Sequence, residues 1–278
     1  MKPAWQAMPP AAPERSRRVS VSRRAGLGVL LGLALFSLLG PWLLDVDPTR
    51  QVLADSLRAP DGSHLLGTDV LGRDVLARLM HAARLSFGLA LLAAITAAVP
   101  GVLLGIAASW RGAGVERALV MLSDVVLSVP GLLLVLLFAA LVPGRGEALY
   151  VGLSLSLWVE YFRVARAASR AVLASDAVQA SRLLGFGPGH VLRWHLLPAL
   201  APVTGTLLAF SAAQAVLALA ALGFVGVGLQ PPTPELGLMM TEYLPHYEEA
   251  PWLIGAPVAL LMLLVLGMLL LAGDAEGA

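Results

Sequence analysis

The chain contains no cysteine, a single lysine (Lys2) and little charge of either sign. Asp, Glu, Lys and Arg make up 13% of its 278 residues, where about 25% is usual in a soluble domain. Without cysteine there is no disulfide framework and no thiolate metal site. Three catalytic signatures are also missing: a H-E-x-x-H zinc pair, a G-x-S-x-G nucleophile elbow and a G-x-x-x-x-G-K-[ST] phosphate loop. Asp124 and Glu160 are the only carboxylates well inside apolar stretches, so a membrane protease built on paired aspartates lacks its partner. Nothing here marks an enzyme, and no catalytic or metal-binding residue is assigned.

What the chain has instead is apolar bulk: 58% hydrophobic residues and a mean hydropathy of +0.80. A soluble core of this size cannot hide so much apolar surface, whereas a bilayer can. Six stretches approach the roughly 20 residues needed to cross hydrocarbon, at 26–44, 85–108, 118–142, 148–170, 200–225 and 252–272. The expected fold is an all-α membrane protein with six transmembrane helices. Glu160, Arg163 and Arg166 lie in the second half of the fourth stretch and mark where that helix leaves the membrane, since ionisable groups at the bilayer centre are expensive. Pro100, Pro130 and Pro257 should bend their spans. Gly101, Gly105 and the alanines at 212, 213, 215, 218, 220 and 221 offer small faces for close helix approach, within the chain or toward a second subunit.

The arginines set the orientation. Lys2, Arg15, Arg17, Arg18, Arg23 and Arg24 precede the first span, Arg111 and Arg117 follow the second, and Arg170, Arg182 and Arg193 follow the fourth. The alternate loops are neutral or acidic, with six aspartates from Asp45 to Asp74 and later Glu235, Glu242, Glu248 and Glu249. Both termini are therefore expected in the cytoplasm of a bacterial inner-membrane protein. Residues 1–25 read as a disordered tail, the first span as a retained anchor rather than a signal peptide, 45–84 as periplasmic and 273–278 as a short cytoplasmic tail.

One polar insert interrupts the apolar run, DAVQASRLLGFGPGHVLRWHLLP at 176–198. Its spacing predicts two short helices split by a bend. Gly185, Gly187, Pro188 and Gly189 end the first, because Gly admits positive φ and Pro lacks a backbone donor. Residues 190–197 restart a helix, and Pro198 opens the next span. Ala180 and Ser181 are small enough for a partner to pack against. The order Gln179-Ala180-Ser181, Gly185, Leu197-Pro198 resembles the cytoplasmic EAA loop of bacterial ABC-importer permeases, which takes up motion from a separate ATPase.

A second stretch, from His64 through Leu-Leu-Gly67-Thr68-Asp69-Val-Leu-Gly72-Arg73-Asp74 to Arg78, Arg84 and Ser86, resembles the signature of the dipeptide, oligopeptide and nickel permeases, in the smaller of their two permease subunits. Locally, Gly67, Thr68 and Asp69 suit a turn and a helix N-cap. Val75, Leu76, Leu79 and Ala83 recur at helical spacing, which suggests an interfacial helix with Arg73 and Asp74 solvated. Further likeness lies at Trp110 to Arg117, Asp124, Ser128 to Pro130, Gly223 to Gly237 and Ala250 to Trp252, so the resemblance covers most of 24–274. The chain departs from the family in Gln179, where Glu is usual, and in a C-terminal tail shortened after Gly273-Asp274.

The resemblance implies a type I ABC-importer permease fold without an ATPase site. Its implied partners are a homologous permease, two ATP-binding subunits, a periplasmic substrate-binding protein and membrane lipid, with no nucleic acid. The chain itself is expected to hold no cofactor, ATP being used by the partner subunits. The ATPase-coupling residues implied are Asp176, Gln179, Ala180, Ser181, Gly185, Leu197 and Pro198. Short peptides are the expected cargo, with nickel or a metal chelate as the alternative; His64, His81 and His246 are scattered and form no ligand cluster. A self-sufficient secondary carrier would need a midplane ion site and inverted repeats, neither of which stands out.

Overall fold

A computed structural model describes residues 21–273, in which every regular element is helical and the one β feature is a bridge between Thr68 and Asp74. The helices are α1 (Val21–Leu44), α2 (Val75–Trp110), α3 (Ala113–Leu127), α4 (Gly131–Leu141), α5 (Gly146–Leu173), α6 (Asp176–Leu183), α7 (Pro188–Val191), α8 (Leu197–Phe224), α9 (Leu236–Tyr243) and α10 (Pro251–Ala272). Residues 1–20 of the expected tail and 274–278 of the expected C-terminal tail lie outside the described residues, while 21–25 already belong to α1.

Four of these helices, with α8 taken from Pro188, are long and apolar enough to cross a membrane: α1, α2, α8 and α10. The expected third span is not one helix. Ser128 Oγ turns back onto the Val125 carbonyl and Pro130 starts a new helix, so α3 and α4 meet at an angle of 72°. The bent pair brings the count to five. The fourth expected span is α5, continuous over 28 residues, whose charged second half keeps it below the same apolar measure. Pro100 and Pro257 lie inside α2 and α10 without interrupting them.

Small residues decide how the helices meet. α2 lies against α5 where Gly101 and Gly105 face the Trp158 and Phe162 carbonyls; a Cβ at either glycine would come within 2.6 to 2.8 Å of them. Buried Ala90, Ala93, Ala94 and Ala97 continue that face. In lipid, helices gain little from burying apolar area, and close backbone approach supplies the packing instead. The Gly101-x-x-x-Gly105 face is thus spent within the chain. α1 packs on α10 in the same way, Gly26 against the Gly267 carbonyl, while Leu27, Leu31 and Leu35 on its other side stay half-exposed.

α2 begins earlier than the sixfold pattern suggested, at Val75, because Asp74 caps it: Oδ1 accepts the Ala77 N–H at 2.8 Å. Its 36 residues make a rod of about 54 Å, far longer than the hydrocarbon is thick. Ahead of it, 45–74 folds into a compact loop. Thr68 Oγ1 bonds the Asp55 carbonyl and accepts the Arg58 N–H, and Gly72 turns at φ +69° directly against the Val52 carbonyl, where a side chain has no room.

Candidate functional site

The insert at 176–198 forms a short helix and a bend where the spacing predicts them, but the second helix starts at Pro188 and runs on into α8 without a break. α6 starts with Asp176 in its first turn, where a carboxylate suits the positive end of the helix. It ends in a paired C-cap: Phe186 N–H bonds the Ser181 carbonyl at 3.1 Å, and Gly185 N–H bonds the Arg182 carbonyl at 3.0 Å. That motif requires a left-handed residue at the bend, and Gly185 supplies it at φ +84°. A Cβ there meets nothing within 4 Å, so the demand for glycine is conformational rather than steric. Pro188 then opens α7 at a position where its missing N–H costs nothing. A π-helical turn at Leu192–Leu196 carries the chain into α8.

Two contacts fix the hairpin. Ser181 Oγ lies 3.0 Å from the Ala177 carbonyl and 2.9 Å from His195 Nε2; with the hydroxyl donating to the carbonyl, His195 donates to it. Phe186 stacks on the His190 ring, centroids 4.1 Å apart. Below, Val178, Val191 and Leu196 are buried, and Leu196 packs with Ile106 of α2, Ala165 of α5 and Leu200 of α8. The hairpin is thereby seated on the ends of three long helices. Above, Leu183 is 89% exposed, Leu184 76% and Trp194 65%. These side chains leave an apolar patch open on a polar, well-capped hairpin.

The sequence-chosen residues fall on this surface. Asp176, Gln179 and Ala180 are exposed along α6, and Gln179 Nε2 reaches only the Ala174 carbonyl at 3.3 Å. Leu197 and Pro198 are exposed at the start of α8. Leu183, Leu184, Phe186, Trp194 and His195 were not singled out from the sequence. The apolar Leu-Leu-x-Phe run inside a polar insert was the available signal.

The signature stretch forms a second polar site, and here the expected solvated charges are corrected. Arg73 is 2% exposed, and Arg78 and Asp69 are fully buried. Arg73 Nε meets Asp69 Oδ2 at 2.6 Å, while Arg73 Nη2 and Arg78 Nη2 both reach Glu242 Oε2, at 2.9 and 2.6 Å. Asp69 Oδ1 also accepts the Leu71 and Arg73 N–H groups. Two cations thus face two carboxylates, a neutral group that low dielectric tolerates. The N-cap is Asp74 rather than Asp69, and its Oδ2 holds His64 Nδ1 at 2.9 Å. Glu242 sits on α9, next to Tyr243, whose phenol is pushed up by burial. The cluster therefore ties the 45–74 loop to the segment between α8 and α10. Among the described residues no group of His, Asp and Glu is arranged to hold a metal ion.

The all-helical bundle, its broken third segment and the hairpin seated on three helix ends define an importer permease. Residues 101–273 match the family described as binding-protein-dependent transport system inner membrane component, and the chain belongs to that family. It is a multi-pass membrane protein. It is 37% identical to a di/tripeptide transport system permease protein of Pseudomonas aeruginosa over 90% of this chain and 84% of that one. Dipeptide transport system permease proteins of Haemophilus influenzae and Escherichia coli are 31% and 36% identical, covering 90% and 88% of this chain and 86% and 83% of theirs. Among solved structures, the MetNI methionine ABC transporter in inward-facing form aligns with a TM-score of 0.55 at 21% identity, over 71% of this chain and 94% of that one. The last likeness speaks to the fold.

Proposed function

We propose that this chain is one of two homologous permease subunits of an ATP-driven importer of short peptides, receiving cargo from a periplasmic binding protein. The observation that carries the reading is the hairpin at 176–198, capped, braced and seated on α2, α5 and α8, with its apolar rim left open. Such a surface receives force. ATP stays with two partner ATPases, and this chain needs no cofactor. Closure of those ATPases pushes on Leu183, Leu184 and Trp194, and the push passes through Leu196 to the ends of the long helices. Alternating access then needs two packings of similar energy. The arginine distribution supports cytoplasmic termini, an orientation in which 176–198 faces the ATPases and the Arg73, Arg78 and Glu242 cluster lies outside.

Peptide cargo is supported by relatives that are named for dipeptide transport. Nickel is disfavoured, because those relatives are named for peptides and, among the described residues, no group of His, Asp and Glu is arranged to hold a metal ion. The test is reconstitution in liposomes. The chain alone should neither hydrolyse ATP nor accumulate alanyl-alanine under a proton or sodium gradient. Adding the second permease, the ATPases and the binding protein should bring ATP hydrolysis and peptide uptake together. Gradient-driven uptake by the isolated chain would make it a secondary carrier and end this reading.

A further inference from the structure

We infer that this chain carries a polar station for the passing peptide, formed by Gln214 and Ser156 in the cleft beside the break between α3 and α4, with Glu160 one turn away. The inference rests on the peptide-import reading above.

The cleft has a volume of about 140 Å³ and is lined by Gly131, Leu132 and Val135 of α4, Leu153, Ser156 and Leu157 of α5, and Gln214, Ala215 and Ala218 of α8. Gln214 stands in the apolar interior of α8, is exposed, and makes no hydrogen bond to the described residues. Ser156 Oγ is likewise without a hydrogen bond to the described residues, and Gly131 is placed so that any side chain there would strike it. Tyr161 and Ser169 of α5 and Ser211 of α8 also lack such a partner but are sealed in the packing, whereas Ser156 and Gln214 open onto the cleft. An amide facing hydrocarbon is costly, so a membrane helix keeps one only where water, a partner or cargo meets it.

The rest of the α5 face supports cargo. At helical spacing from Ser156 come Glu160 and Arg163, and Arg163 pairs with Asp124 of α3 at 2.8 Å, both about half-exposed. Glu160 lies between these contacts without an ion pair or hydrogen bond to the described residues. Broken helices inside membranes line cavities rather than lipid. The chemistry is also specific in kind. A glutamine amide both donates and accepts, as a peptide bond does, while the leucine and valine walls make no demand on side-chain identity. Glu160 complements the free α-ammonium of a short peptide. Such a site suits a cargo constant in its backbone and variable in its side chains.

The chain has no cysteine, so Gln214→Cys and Ser156→Cys can be read without background from it. Each variant is assembled with its second permease, ATPases and binding protein in liposomes and treated with a trimethylammonium methanethiosulfonate. Leu217→Cys and Leu137→Cys, on exposed apolar faces, serve as controls. Positions 214 and 156 should be modified at least about tenfold faster than the controls, more slowly with alanyl-alanine present, and modification should block uptake while ATP hydrolysis continues. Glu160→Gln should slow uptake by a similar factor, with Glu160→Asp restoring part of it. No modification at 214 and 156 in any nucleotide state, or modification with uptake intact, would overturn the proposal and assign Gln214 to the second permease or to lipid. Uptake by the complex with the parent sequence at 214 and 156 separates the two readings: if it moves alanyl-alanine while the labelling fails, only the station falls. If it moves no peptide, both fall.

Discussion

Arg78 and Glu242 are 164 residues apart in the chain and meet at 2.6 Å, the arginine fully buried and the glutamate 18% exposed. Because Arg73 shares the same carboxylate oxygen, one side chain on α9 bridges two guanidiniums at the head of α2, and Asp69 supplies the second negative charge. Removing Glu242 leaves two buried cations with Asp69 alone. Glu242→Gln should therefore destabilise the chain by about 3–5 kcal/mol, seen as a lower thermal midpoint in detergent. Pairing Glu242→Leu with Arg78→Met should recover much of the loss, since a neutral pair replaces an unpaired charge. A Glu242→Gln variant as stable as the parent would mean that the cluster is solvated.

Gly185 sits in the left-handed region with open space around it. Gly185→Leu should cost only about 1–2 kcal/mol locally, leaving the protein inserted. It should nevertheless uncouple the assembled importer, lowering peptide uptake at least about tenfold at normal expression. Ala180→Arg should do the same by placing a guanidinium on the exposed face of α6. Parallel assays of uptake and ATP hydrolysis check both, and unchanged uptake in both variants would remove 176–198 from the coupling role.

Orientation is tested by single cysteines at Asp61, Glu248, Arg111 and Gly187. The first two should react with an impermeant thiol reagent added to cells whose outer envelope is permeabilised, and the last two should not. Labelling at 187 from that side would invert the topology and separate the hairpin from any cytoplasmic ATPase.

Glu235 caps α9, its Oε2 accepting the Leu238 N–H at 2.9 Å, and it is 1% exposed. Burial raises its pKa, so the folded chain holds this proton more tightly than the unfolded chain. That contribution to stability is complete below the unfolded value of about 4.3 and is lost as pH rises through the folded value. Glu235→Gln keeps an acceptor for Leu238 without the charge. The variant should gain in thermal midpoint relative to the parent at about pH 8, and the gain should shrink at about pH 4. A difference independent of pH would show that the carboxyl titrates normally.

The long helices and the hairpin were legible because their signals are local. Apolar runs mark α1, α2, α8 and α10, and Gly185 followed by Pro188 marks the bend. The buried charges were not legible. Asp69 and Arg73 have helical spacing, but nothing near them announces Glu242, so solvation was the natural expectation. The three prolines show the same limit. Pro100 is followed by Gly101, pressed against the Trp158 carbonyl, and that packing keeps α2 continuous. Pro130 is preceded by Ser128, which folds onto α3, and the helix breaks there. Which proline bends its helix depends on what lies across from it, and a single sequence does not carry that.

α2 has Arg78 near one end and Ile106 near the other, the first in the ionic cluster and the second beneath the hairpin against Leu196. Between them runs unbroken helix of about 42 Å. A rod of that length tilted by about 5° displaces its far end by about 4 Å, enough to change which side chains touch. The two polar sites thus sit at opposite ends of one continuous rod, held against α5 by the close-packed Gly101 and Gly105 face.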